Sequence, residues 1–202
     1  MKISMDRLFA VASLQQGFFT SKQARDAGFD YSAHSYHVSQ GNWAREHWGI
    51  YRLTRYATAD RPDLVLWSLW SRDRKNDVPQ GVYSHQTALT LYELSDIMGS
   101  KLHMTVPPNF HRGDKIPDVL VLHKSRLHPQ DIDGRAGYRV TKPLRTLSDM
   151  IQIGTISQDH LHQAVTEALH RGLVSRKEIE TSFRLSAPVR RILLSTLKER
   201  GR

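Results

Sequence analysis

Apolar residues recur at helical spacing near the start of the chain, and residues 5–16 are therefore predicted to form a first helix. Thr20 and Gln23 have the spacing of a capping box, in which each side chain satisfies a backbone donor at the start of a helix. A second helix is expected from there to Gly28, because glycine suits the left-handed conformation that commonly ends a helix. The first thirty residues thus predict two helices in close succession.

The next twenty-odd residues predict a helix followed by a hairpin. Residues 31–40 are expected to be helical, with Ser32 as the cap and with Ala33 and Tyr36 on the inner side. His37 and Val38 are alternative further positions on that side. Trp43–Glu46 and Ile50–Leu53 are predicted to be strands around a turn that contains glycine. Helix, turn, helix and hairpin follow one another in a winged helix-turn-helix, so we expect such a domain over residues 1–58.

The remainder of the chain mixes helices with short strands, which predicts an α+β region over residues 59–202 that is mostly helical and ends in a helical segment from about 152. Alternating or compact apolar runs mark the strands, and proline or serine opens several of the helices. The predicted strands are 101–106, 119–123 and 138–141, and the predicted helices begin near residues 62, 84, 143, 159, 175 and 188.

Composition narrows the chemistry. The 202 residues are 39% hydrophobic and lack cysteine, which excludes a disulfide framework, a thiolate zinc site and a cysteine nucleophile. The first residues make a poor signal peptide and no segment is apolar enough to span a bilayer, so a cytoplasmic location is expected. A net charge of +9 makes a polyanion the first partner to consider, although the basic residues are spread along the chain.

Three stretches of the chain follow one another in a characteristic order. The first is the predicted winged helix ending in GIYRL at 49–53, the second is GVYSHQTALTLYELSD at 81–96 with the strand KLHMTVP after it, and the third is YRVTKPLRTLSDM at 138–150. By their order and spacing these stretches resemble the AbiEi family, the antitoxins and transcriptional regulators of type IV toxin–antitoxin systems. The resemblance covers most of residues 5–151.

The resemblance implies a DNA-binding domain that represses the antitoxin–toxin operon at inverted repeats. It also implies a second domain that counteracts a nucleotidyltransferase-like toxin without a stable complex. A homodimer suits inverted repeats geometrically, and monomers on each half-site suit them equally. An alternative is a protein-interaction or toxin-neutralising module that does not bind DNA specifically.

The second helix of a helix-turn-helix lies in the major groove, where its exposed side chains read base edges. Serine, histidine and amide side chains of that helix are the candidates for base contacts, and cations on the preceding helix and on the hairpin are the candidates for phosphate contacts. The candidate DNA-binding residues are Lys22, Arg25, Ser32, His34, Ser35, His37, Gln40, Asn42, Arg45 and Arg52. In the second domain, Arg139, Lys142 and Arg145 are candidate phosphate or nucleic-acid contacts, with surface charge as the alternative.

No catalytic residue, metal or cofactor is expected. His34 and His37 are three residues apart, but no cysteine or nearby carboxylate completes a metal site. Pro117-Asp118 and the following strand have a faint likeness to the PD-(D/E)xK nucleases, yet His123 stands where the second carboxylate belongs. A P-loop, a dinucleotide fingerprint and a glycine elbow around a serine are absent from the sequence.

Overall fold

The computed structural model describes residues 2–57, 60–97 and 99–198. The chain divides into two compact units, Met1–Gly81 with Gly134–Arg139, and Val82–Asp133 with Val140–Arg202. The expected domain boundary between residues 58 and 59 lies outside the described residues, and it stays a prediction about which part has which function. None of the described helices is long and apolar enough to cross a membrane.

The first unit combines helices with a small antiparallel sheet in which the strand order is β1-β3-β2. The predicted helices and hairpin are present, and β1 is an additional strand that the sequence pattern did not predict. The elements are α1 (Lys2–Ser13), β1 (Phe18–Thr20), α2 (Ser21–Asp26), α3 (Tyr31–Ser39), β2 (Trp43–His47), β3 (Ile50–Leu53) and α4 (Pro62–Trp70).

Local chemistry explains where α2 and α3 begin. The Thr20 side chain accepts a hydrogen bond from the Gln23 backbone, and the Gln23 side chain accepts one from the Thr20 backbone, so the predicted capping box is confirmed. The cap of α3 is Asp30 rather than Ser32, because the Asp30 carboxylate accepts the backbone N–H of Ala33 at 2.9 Å. The Ser32 hydroxyl instead donates to that carboxylate at 2.7 Å. Between the two helices, Gly28 has a φ of +103°, which favours glycine.

The core of this unit is built around Trp43, which is 1% exposed. Its ring packs in T-shaped contacts with the rings of Phe19 and Phe29, at centroid distances of 4.8 and 5.2 Å. The ring of Tyr51 lies 5.9 Å away in a tilted contact. Leu8 of α1 is fully buried in the same cluster. Each of the first three helices or their flanking turns therefore contributes to one core with the hairpin.

The second unit contains most of a mixed sheet with the strand order β6-β5-β4-β8-β7. β4 pairs antiparallel with β5 and parallel with β8, and β5 pairs parallel with β6. The described residues therefore form a mixed α/β structure with two sheets. The elements are β4 (Val82–Tyr83), α5 (His85–Leu91), β5 (Leu102–Val106), β6 (Leu120–Lys124), a 3-10 turn (Pro129–Asp131), β7 (Ile132–Arg135), β8 (Tyr138–Thr141), α6 (Pro143–Ile153), α7 (Gln158–His170), α8 (Arg176–Thr181) and α9 (Ala187–Lys198).

Candidate nucleic-acid interface

Helix α3 has an outer face of rings and hydroxyls. Tyr31 and Tyr36 are 64% and 59% exposed, so the expectation that Tyr36 turns toward the core is wrong. His34 and His37 are only 3% and 7% exposed, so the expectation that both face outward as base-reading groups is wrong, and His37 takes the inner position that was the alternative for it. The exposed positions of the helix and its C-terminal cap are Tyr31, Ser32, Ser35, Tyr36, Ser39 and Gln40.

The two histidines are held inward by ring packing. His37 stacks on Trp43 at a centroid distance of 4.7 Å, and its Nδ1 lies 3.3 Å from the Asn42 amide nitrogen. His34 Nε2 lies 3.2 Å from the Phe29 carbonyl oxygen. Burial lowers the pKa of both imidazoles, which favours their neutral form. They therefore serve as core side chains that position α3 against the hairpin.

The hairpin presents an arginine and a tryptophan at its tip. Gly49, with a φ of +66°, allows the tight turn between β2 and β3. Trp48 in that turn is 78% exposed, and the Arg45 guanidinium lies 4.7 Å from the centre of its ring. Farther along the hairpin, Arg52 pairs with Glu46 at 2.7 Å, so Arg45 is the more available cation of the two predicted here.

The cations of α2 have neighbours that orient them. Arg25 donates to the Tyr31 hydroxyl at 3.1 Å, and its guanidinium lies 5.2 Å from the centre of that ring. Lys22 lies 3.5 Å from the Asp26 carboxylate. Because both side chains are exposed, this surface ion pair contributes little to stability. Arg25 therefore lies against the first residue of α3, whereas the neighbour of Lys22 belongs to α2 itself.

Sequence reasoning missed Tyr31, Tyr36 and Trp48, although a signal for α3 was present. If histidine is counted with the apolar residues, positions 33, 34, 37 and 38 form a stripe at helical spacing that must face the core. That stripe leaves Tyr31 and Tyr36 outside. For Trp48, the glycine that follows it marks a two-residue turn, and side chains in such turns project into solvent.

A buried ion pair ties the start of α2 to the segment after α4. Arg72 Nε lies 3.0 Å from the Asp77 carboxylate, and both side chains are largely buried. The same carboxylate accepts the hydroxyl proton of Thr20, the residue that caps α2. Arg72 also reaches the carbonyl of Gly49 in the hairpin turn at 3.5 Å. One ion pair therefore holds both the helix start and the hairpin tip.

The three cations proposed for the second domain have different roles in the fold. Arg139, grouped with the first unit, donates to the carbonyl of Pro79, and burial lowers the pKa of its guanidinium. Arg145 pairs with Asp149 at 2.8 Å, where burial raises the pKa of that carboxyl to about 6. Lys142 is exposed at the start of α6. Two of the three therefore stabilise the fold, and Lys142 is the accessible one.

The residues of the nuclease alternative lie in different settings. Asp118 is 85% exposed at its side chain and pairs with Lys115 at 3.1 Å. His123 instead belongs to a group of three histidines that are far apart in the sequence. His85 lies at the start of α5, His103 on β5 and His123 on β6. The His85 and His123 rings stack at a centroid distance of 3.6 Å, and His103 Nδ1 lies 3.0 Å from His123 Nε2. Among the described residues, no three His, Asp or Glu side chains are placed to hold a metal ion.

The histidine group predicts a loss of stability in mild acid. Burial lowers the pKa of His85 to about 3 and that of His103 to about 4, against 6.5 in the unfolded chain. The unfolded state therefore binds more protons than the folded state between those values, and stability falls as pH drops below about 6.5. From pH 7 to 5.5 we expect each of these two histidines to lower the free energy of unfolding by about 1 kcal/mol.

Urea denaturation of wild type and His103→Gln at pH 7 and 5.5 measures this effect. The variant should lose about 1 kcal/mol less than wild type over that interval, and the exposed His111→Gln control should keep the wild-type dependence. The comparison is needed because Asp149, with its raised pKa, gains protons in the folded state over the same interval and partly offsets the loss. Equal pH dependence in wild type and His103→Gln would contradict the prediction.

Comparison with known proteins adds a family and a fold. No curated protein matches the chain. Among solved structures, the RV2827C protein from Mycobacterium tuberculosis is similar in fold, with a TM-score of 0.50 at 14% identity over 96% of this chain and 76% of that one. The family model for a transcriptional regulator, AbiEi antitoxin, matches residues 6–54, from α1 through β3. The resemblance to the AbiEi antitoxin regulators is therefore confirmed over residues 6–54, about a quarter of the chain, and for the stretches at 81–96 and 138–150 it stays a prediction.

Proposed function

We propose that the protein is a sequence-specific DNA-binding regulator that represses its own promoter at inverted repeats. In this proposal residues 1–58 act as a winged helix-turn-helix, with α3 in the major groove and the β2–β3 hairpin as the wing. The observation that carries it is the exposed outer face of α3, a helix whose inner face packs on the β2–β3 hairpin through Trp43, together with an available arginine, Arg45, on that hairpin. The family match over residues 6–54 supports the same role.

The proposed contacts divide into two classes. Lys22, Arg25, Arg45 and Arg52 contact phosphates, which fix the position of the protein but carry no sequence information. The exposed side chains of α3 and its C-terminal end contact base edges. His34 and His37 are withdrawn from the proposed interface, since they are buried. The proposed base-contact set is therefore Tyr31, Ser32, Ser35, Tyr36, Ser39 and Gln40, with the half-buried Asn42 just after the helix and Trp48 at the hairpin tip.

We further propose that residues 59–202 counteract a nucleotidyltransferase-like toxin without forming a stable complex with it. The support is the family domain at residues 6–54 and the family-like stretches at 81–96 and 138–150. Of the three candidate cations of this region, Lys142 is the exposed one and is available for a phosphate or RNA contact. A homodimer or two monomers would each satisfy an inverted repeat.

Titration of labelled DNA from upstream of the coding sequence, in the presence of competitor DNA, tests the proposed regulator role. Binding should survive competitor and weaken with salt, with log K falling against log salt at a slope of about −4 for each bound chain if the four cations contact phosphates. Arg45→Ala should reduce the size of that slope by about 1, because one phosphate contact is lost.

Lys101→Ala is the matched control, since Lys101 is exposed in the second unit and outside the proposed interface. It should bind with the wild-type slope. Absence of a shift at micromolar protein, or equal affinity for upstream and competitor DNA, would remove specific DNA binding from the proposal.

A further inference from the structure

Helix α3 presents no charge on its exposed face. Residues 31–40 contain no lysine, arginine, aspartate or glutamate, and the two histidines among them are buried. Two tyrosine rings and three serine hydroxyls make up the outer surface of the helix. An uncharged surface of rings and hydroxyls can contact only some of the groups that base pairs expose in a DNA groove.

Base pairs differ in what they offer this surface. Guanine is most often read by arginine or lysine donating to O6 and N7, and α3 supplies neither. Thymine carries a C5 methyl group in the major groove, which packs against apolar side-chain surface. The tyrosine rings supply that surface. Gln40, exposed at the C-terminal cap of the helix, has an amide that can pair with adenine.

Several hydroxyl groups of α3 already form hydrogen bonds within the protein, so they are less available to DNA than the tyrosine rings are. The Ser32 hydroxyl donates to Asp30 at 2.7 Å, and the Ser39 hydroxyl donates to the carbonyl of Tyr36 at 2.8 Å. The Tyr31 hydroxyl accepts from Arg25. The Tyr36 ring, by contrast, is 59% exposed, and its ring neighbour is the buried His37 at a centroid distance of 5.4 Å on the inner side. Tyr31 is the more exposed ring at 64%, but Arg25 lies over it, so the ring of Tyr36 is the less engaged of the two apolar surfaces that α3 offers.

We infer that α3 selects its site through thymine methyl groups packed against Tyr36 and Tyr31, so that the base pairs beneath α3 are A·T-rich and guanine is not read there. This inference rests on the proposed DNA binding and names the base chemistry it recognises. Methyl contacts are individually weak compared with bidentate hydrogen bonds, so specificity is spread over several A·T pairs.

Selection of bound duplexes from a random pool, followed by replacement of thymine with deoxyuridine in the selected site, tests the inference. The full-length protein should enrich A·T pairs at the half-site centres. Each deoxyuridine under α3 removes one methyl group and should weaken wild-type binding about fourfold. Tyr36→Ser should lose a similar factor on the thymine duplex and become insensitive to the deoxyuridine beneath that residue, whereas Tyr36→Phe should keep the wild-type sensitivity.

The outcomes separate the two proposals. Enrichment of sites with a required guanine beneath α3, or equal wild-type affinity for thymine and deoxyuridine duplexes, would overturn methyl recognition and leave DNA binding intact. A Tyr36→Ser variant that stays as sensitive to deoxyuridine as wild type would also overturn it. Failure to enrich any sequence would remove the proposed DNA-binding function itself.

Discussion

Replacement of Trp43 by alanine is expected to lower the free energy of unfolding by about 3–5 kcal/mol. The indole is 1% exposed and meets the rings of Phe19, Phe29 and His37 within 5.2 Å. Its removal leaves a cavity shared by the hairpin, the α2–α3 turn and α3, and a packed core relaxes only partly into such a space. Urea denaturation followed by circular dichroism measures the loss.

Trp43→Phe should cost less than Trp43→Ala. The indole Nε1 is buried without a hydrogen-bond partner in the described structure, and phenylalanine removes that unpaired donor while it keeps a ring in place. Trp48→Ala is the matched control, because that tryptophan is 78% exposed, and it should change stability by less than about 0.5 kcal/mol. A loss below about 1 kcal/mol in Trp43→Ala would contradict the core assignment.

Replacement of Asp77 by asparagine is expected to destabilise the protein by about 3 kcal/mol. The change removes the charge that compensates the buried Arg72 guanidinium, whose pKa burial lowers and Asp77 raises. Asparagine tolerates the backbone φ of +60° at this position, so the substitution isolates the electrostatic contribution. Because the carboxylate also accepts from Thr20, α2 should fray at its start, and hydrogen exchange there should accelerate.

Asp63→Asn provides the control for Asp77→Asn. Asp63 pairs with Arg61 at 2.9 Å in a setting where both side chains are more than a third exposed, and such pairs contribute about 0–1 kcal/mol. Its unfolding free energy should stay near that of wild type. If Asp63→Asn and Asp77→Asn had equal effects, the Arg72–Asp77 pair could not be the tie between α2 and the hairpin turn.

Elements with a local cause could be predicted from the sequence. The capping box of Thr20 and Gln23 and the hairpin around Gly49 depend on residues within a few positions of one another. Pro62 begins α4 and Pro143 begins α6, where a proline in the first turn loses no hydrogen bond. β8 has the bounds that its alternation predicts. These features need no knowledge of distant contacts.

Features that depend on distant partners could not be predicted in this way. His34 and His37 look polar in the sequence, and they turn inward because the Trp43 ring, supplied by the hairpin, packs against both. β1 and β4 are only three and two residues long, and pairing with β3 and β5 defines them rather than any pattern of their own. The N-cap of α3 was also predicted two residues too late, at Ser32 instead of Asp30, because the choice between them depends on the backbone geometry at the start of the helix.

The candidate site likewise contains residues that the sequence predicts and orientations that depend on distant contacts. The cations Lys22, Arg25 and Arg45 are predicted as contacts from their sequence positions around the expected helix-turn-helix, and they stay predictions. The outward tyrosines were missed because their orientation depends on which side of α3 the buried stripe occupies. The contact between His85, His103 and His123 follows from the parallel pairing of β5 and β6, which no spacing in the sequence reveals.

A footprint of the protein on DNA from upstream of its coding sequence tests specific binding through α3 most directly. Wild type should protect a discrete pair of inverted half-sites. Tyr36→Ala, with wild-type circular dichroism and unfolding free energy because Tyr36 is exposed, should need about fourfold more protein for the same protection. Protection that is uniform along the DNA, or that Tyr36→Ala retains unchanged, would contradict recognition through this helix.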